Sequence, residues 1–223
     1  MTRQSELVKE ALRLLAERCP RLAEQCYWAG TSAIALEELG HRDSIDLDFH
    51  TRRGLVDVRP ILAEIQKAFP GSFEVIQSPD EFGSGFRGLL TLPSGGSITI
   101  EALSNFEETA SQDLVPSSTV PGMARVSLRR YLADKIQCVV ERSEARDLLD
   151  IEAVLQRHPE LEPVARGLVL QQDALLLSER LFSWTDEEIE HSLRPYAGSS
   201  PGDARHTRDL LFRWLKSAKE TRP

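Results

Sequence analysis

Apolar residues return at helical spacing from the start of the chain, where Leu7, Val8, Ala11, Leu12, Leu14 and Leu15 form one stripe. Ser5 is the expected N-cap and Cys19-Pro20 the stop. QCYWAG is short, apolar and aromatic and reads as a strand that meets a small-residue turn, Gly30-Thr31-Ser32. A helix then runs through Ala33, Ile34, Leu36 and Leu39 and ends at Gly40. In GHRDSIDLDFH the period changes to two, with Ile45, Leu47 and Phe49 on one face of a strand and Asp46 and Asp48 on the other. Two carboxylates about 6 Å apart repel by roughly 3 kcal/mol at an effective dielectric of about 20, so this pair calls for a compensating positive charge.

Further along, Val58, Ile61, Leu62, Ile65, Ala68 and Phe69 predict a helix closed by Pro70-Gly71. SFEVIQ reads as a strand, and FRGLLTL and SITIEAL flank a hairpin turn at PSGG. Glu101 lies in the second hairpin strand, on the face opposite Ile98, Ile100 and Ala102. From residue 127 onward only helical patterns occur. Leu128, Leu132, Lys135 and Val139 share one helical stripe, which puts a lysine among apolar residues. Ser143 is the expected cap of a helix through RDLLDIEAVLQ, Thr185 and Glu188 fit a capping box, and Leu210, Leu211, Trp214 and Leu215 predict an amphipathic last helix. Trp28, Trp184 and Trp214 read as core, and His50 as a strand-end residue without chemistry. The fold class is α+β: a mixed sheet with flanking helices in residues 1–122, then an all-helical half in residues 123–223, joined through a Pro-, Ser- and Thr-rich loop.

Composition narrows the class. With 223 residues of which 41% are hydrophobic, the chain can bury a substantial core. No run approaches the roughly 20 apolar residues of a membrane span, and the N-terminus lacks a signal-peptide core, so a cytoplasmic protein with no membrane partner is expected. Cys19, Cys26 and Cys138 have no metal-ligand spacing and read as reduced thiols. A net charge of −8 disfavours a protein that coats nucleic acid with its whole surface. Local basic islands remain at Arg125, Arg129, Arg130, Lys135, Arg142 and Arg146 and in the C-terminal HTRDLLFRWLKSAKETRP.

Three features then share one explanation. Backbone N–H groups at a helix start bind phosphate, because they lack intrahelical partners and lie at the positive end of the helix dipole. Paired carboxylates bind Mg²⁺, which accepts one or two of them together with water and substrate phosphates. Gly30-Thr31-Ser32 beside Asp46, Asp48 and Glu101 therefore predicts a nucleoside-triphosphate site.

AGTSAIALEELGHRDSIDLDFH and LADKIQCVVERSEARDLLDI together resemble two blocks of the AbiEii/AbiGii-type nucleotidyltransferase toxins, a branch of the DNA polymerase β-like nucleotidyltransferases. The first block supplies Gly30, Thr31, Ser32, Arg42, Ser44, Asp46 and Asp48; the second supplies Lys135, Arg142, Arg146, Asp147 and Asp150. The resemblance spans roughly residues 20–155 and implies a nucleotidyltransferase-like sheet with a helical half completing the cleft. It also implies metal binding (Mg²⁺ or Mn²⁺) by Asp46 and Asp48, with Glu101 as third ligand helping to activate the attacking hydroxyl. Lys135 would reach the triphosphate, and Arg146 and Asp147 would shape the same cleft. An NTP substrate, a tRNA acceptor gripped by the Arg125–Arg146 island, and a cognate antitoxin are the implied partners. The sequence departs from the family in having Ala29 before Gly30, where a double glycine is usual. That favours a rival account, a non-catalytic nucleotide-binding regulator, and a transferase acting on a small molecule or protein shares the same site residues.

Overall fold

The structure is a computed structural model of the chain. It describes all residues except Met1, Ile45, Ser143, Pro195, 197–199 and 221–223, and the side chains of 218–220. The expected positions of Ile45 on the apolar strand face and of Ser143 as a helix cap lie outside the described residues. The chain gathers into two compact units, Met1–Ser127 and Leu128–Pro223.

The first unit is built on a seven-stranded mixed sheet. Helices α1 (Arg3–Arg18) and α2 (Pro20–Gln25) precede β1 (Cys26–Ala29). Helix α3 (Gly30–Ile34) follows and widens into a π-helical turn over Ala35–Leu39, which Gly40 ends in the left-handed region, φ 59°. Next come β2 (Asp46–Gly54), α4 (Arg59–Ala68), β3 (Phe73–Gln77), β4 (Gly85–Thr91), β5 (Ser97–Asn105), β6 (Leu114–Pro116) and β7 (Ala124–Val126). The spatial order is β3-β4-β5-β2-β1-β7-β6. β2 lies centrally, antiparallel to β1 and parallel to β5. Leu47, Phe49, Ile98, Ile100 and Ala102 are buried, as their alternation requires, and α1 packs against β2 and β5.

β2 runs on through the TRRG segment to Gly54. Two expectations are corrected. Helix α1 begins earlier than Ser5, because the Thr2 side chain caps it by accepting from the Ser5 backbone N–H at 3.2 Å. Within the supposed linking loop, β6 and β7 pair with each other, and β7 joins the sheet through Trp28↔Arg125, which puts residues 124–126 in the first unit.

The second unit contains α5 (Leu128–Glu141), α6 (Ala145–Arg157), α7 (Glu162–Gln171), α8 (Ala174–Ser183), α9 (Asp186–Leu193) and α10 (Pro201–Glu220). Leu132, Ile136, Leu148, Ile151, Leu177, Leu181 and Leu211 form its core. Thr185 and Glu188 make the expected capping box on α9, and the Glu152 carboxylate ties α6 to α10 by accepting from the Thr207 hydroxyl at 2.6 Å.

Candidate active site

The sheet register assembles the acidic face. Asp48 pairs across β2 with Ala29 of β1 on one side and with Glu101 of β5 on the other, and Asp46 pairs with Thr99. Residues directly opposite in neighbouring strands share a face, so Asp46, Asp48 and Glu101 project to the same side. All three are half-buried. The side chains of Asp46 and Glu101 have no hydrogen-bond or ion-pair partner among the described residues, which leaves their oxygens open to a ligand.

Gly30, the residue after Ala29, brings the helix start against this face. Its φ of +69° is disfavoured for any residue with a side chain, and a Cβ there would lie 2.0 Å from Asp48 Oδ2. No side chain caps α3, so its first N–H groups are not consumed that way. Thr31 and Ser32 are buried, and both hydroxyls are engaged: Thr31 Oγ1 accepts from Arg42 Nη2 at 2.9 Å, and Ser32 Oγ accepts from Trp28 Nε1 at 2.8 Å. Arg42 thus fastens the segment before β2 to the helix start. Ser44 donates to the Asp46 carbonyl at 3.5 Å.

Among the described residues no cluster of three or more His, Cys, Asp or Glu side chains is drawn tightly enough to hold a metal ion by protein groups alone. The donor chemistry still fits Mg²⁺ or Mn²⁺, since adjacent carboxylates leave most of the coordination sphere to water and phosphate. Asp46 and Asp48 are the groups suited to hold it, with Glu101 beside them.

The basic island of the sequence is largely neutralised. Arg125 is buried and bonds Glu37 at 2.7 Å and Glu38 at 2.5 Å. Lys135 is buried, with its ammonium 2.9 Å from Asp147 and 2.8 Å from Asp150. Burial alone would lower its pKa, but Asp150 and Asp147 outweigh that and raise it. Arg142 pairs with Asp147 at 2.9 Å, and that bond raises its pKa. Arg146 pairs with Glu144 at 2.5 Å and lies over the Tyr196 ring. Of the Arg125–Arg146 island expected to grip RNA, Arg125, Arg130, Lys135, Arg142 and Arg146 are thus each paired with a carboxylate of their own unit.

Glu37 escaped the sequence reading. The π-helical turn delivers it into the segment before β7, where it accepts from the Ser117 hydroxyl at 2.5 Å, the Ser118 and Thr119 N–H groups at 3.0 and 2.9 Å, and Arg125. Burial pushes its pKa up, but these donors together bring it down to about 2. No local motif announces such a cluster, because its partners lie some eighty residues away in the sequence.

A mixed sheet with same-face acids on its central strand, beside a glycine-opened helix start, defines the chain as a nucleotidyltransferase fold. The fold is shared, at TM-score 0.60, with MenT4, a nucleotidyltransferase toxin from Mycobacterium tuberculosis, at 18% identity over 95% of this chain and 86% of that one. The Helicobacter pylori protein JHP933 gives TM-score 0.56 and 15% identity over 99% and 97%. Another Helicobacter pylori protein, of proposed nucleotidyltransferase function, gives 0.61 and 16% over the full length of both. No curated protein matches the sequence. The family described as nucleotidyl transferase AbiEii toxin, type IV TA system, matches residues 13–196, and the chain belongs to that family.

Proposed function

We propose that the protein is a metal-dependent nucleotidyltransferase that moves a nucleotidyl group from an NTP to the hydroxyl of a nucleic-acid acceptor, with tRNA the expected one, as the toxin of a toxin–antitoxin or phage-defence pair in the cytoplasm. The observation that carries this reading is the row Gly30–Asp48–Glu101, with Asp46 on the same face. Bound Mg²⁺ or Mn²⁺ supplies Lewis-acid neutralisation of the phosphate oxygens. Asp46 and Asp48 would hold that cation, and the N–H groups at the start of α3 bind the oxygens of the triphosphate. Glu101 takes the proton of the acceptor hydroxyl as that oxygen bonds to the α-phosphorus and pyrophosphate departs. Positioning and charge neutralisation supply most of the rate in such chemistry. Lys135, Arg142, Arg146 and Asp147 are assigned to substrate by resemblance to the family. Within their own unit Asp147 fixes both Lys135 and Arg142, so we read it as a positioning residue.

The single glycine no longer favours a regulator. Ala29 is extended at φ −110° and ψ −169°, a conformation open to any residue, whereas the left-handed position pressed against Asp48 is occupied by Gly30. Incubation with labelled NTPs, Mg²⁺ and total RNA tests the proposal. Label should enter RNA with the native protein and not with Asp46→Asn; tight NTP binding without transfer would support the regulator, and label on protein or small molecules a different acceptor.

A further inference from the structure

The register that joins Asp48 to Glu101 continues one strand further. Arg87 of β4 is directly opposite Glu101, and Gln77 of β3 lies beyond it. Phe86, Gly88 and Leu90 are buried on the other side of β4, so Arg87 shares the face of the carboxylates, and it is exposed. Although a carboxylate faces it across the ladder, the Arg87 side chain makes no ion pair or hydrogen bond among the described residues. That contrasts with Arg125, Arg130, Arg142 and Arg146, each of which binds a carboxylate.

Sheet order says which substrate this cation can reach. With strands about 4.8 Å apart, Arg87 lies roughly 10 Å from the level of Asp48 and roughly 14 Å from β1, where the helix start begins. The triphosphate in our reading occupies the Gly30–Asp48 side. Attacking and leaving oxygens in phosphoryl transfer lie roughly in line on opposite sides of phosphorus, so the acceptor approaches past Glu101, away from Gly30. We propose that Arg87 binds a backbone phosphate of the acceptor strand next to the attacking hydroxyl; the inference rests on the nucleotidyltransferase reading above. A guanidinium suits that task because its planar fork matches phosphate oxygens with two parallel hydrogen bonds.

The test uses the full chain with unfractionated tRNA as acceptor and labelled NTPs, across a salt series. Arg87→Ala should raise the KM for tRNA about tenfold, with NTP KM and thermal midpoint unchanged. The slope of log affinity against log salt should fall by about 0.7, the contribution of one phosphate contact on a single strand. Arg87→Lys should recover most of that slope. An unchanged tRNA KM, an unchanged slope, or a rise confined to NTP KM would overturn the assignment. Anisotropy of labelled tRNA without NTP measures the same slope independently of catalysis. If native protein transfers no label, the nucleotidyltransferase reading fails, while the binding slope still decides Arg87; absence of tRNA binding by native protein overturns the Arg87 assignment as well.

Discussion

Replacing Gly30 with alanine probes the link between backbone geometry and chemistry. The added Cβ would lie 2.0 Å from Asp48 Oδ2, whereas ordinary contact begins at 3.4 Å, so the carboxylate or the helix start must give by about 1.4 Å. The left-handed backbone at φ +69° adds a further cost of about 1–2 kcal/mol for a residue with a side chain. For a chain of this length each kcal/mol lowers the thermal midpoint by about 2–4 °C, so the variant should stay folded at assay temperature. Catalysis should suffer far more, because misplacing a reacting group by about 1 Å costs about 100-fold. Label transfer at saturating NTP is the assay, with thermal unfolding in parallel and Ala29→Gly as the control that should keep native activity. Gly30→Ala turning over at the native rate would refute the claim that this contact positions Asp48 for reaction.

Other perturbations address the two units separately. Because the folded pKa of Glu37 lies near 2 against an ordinary 4.5, its contribution to stability is complete above pH 4.5 and fades as pH falls towards 2. The difference in unfolding free energy between native protein and Glu37→Gln should therefore shrink by about 3 kcal/mol across that window, and a difference independent of pH would contradict the assignment. Lys135→Met leaves Asp147 and Asp150 buried with one cation fewer and should cost about 3–5 kcal/mol by denaturant unfolding. Adding Asp150→Asn should recover part of that loss; no recovery would mean that the penalty comes from packing.

How far the sequence reveals this molecule depends on the range of each interaction. Strict alternation placed Asp46 and Asp48 on one face of β2, and alternation in SITIEAL put Glu101 opposite Ile100, since a strand's period needs only local residues. Their meeting in register, and the approach of Gly30 to Asp48, depend on strand order, which local pattern does not encode. β6 and β7 were hidden because three residues are too few to show a period, and Pro116 reads as loop. The arginines and lysine between 125 and 146 were visible as charge, but their neutralisation was not. Arg125 finds Glu37 from 88 positions away, and Lys135 finds its carboxylates one helix later. Arg87 drew no notice in the sequence, because only pairing of β4 with β5 brings it beside an acid of the site.

Retention of Mn²⁺, followed by electron paramagnetic resonance with a non-hydrolysable NTP present, tests the central claim most directly. The native protein should immobilise Mn²⁺ only when nucleotide is added, and Asp46→Asn and Asp48→Asn should each abolish that signal while keeping a native thermal midpoint. Equal Mn²⁺ retention by native protein and both variants would contradict the account.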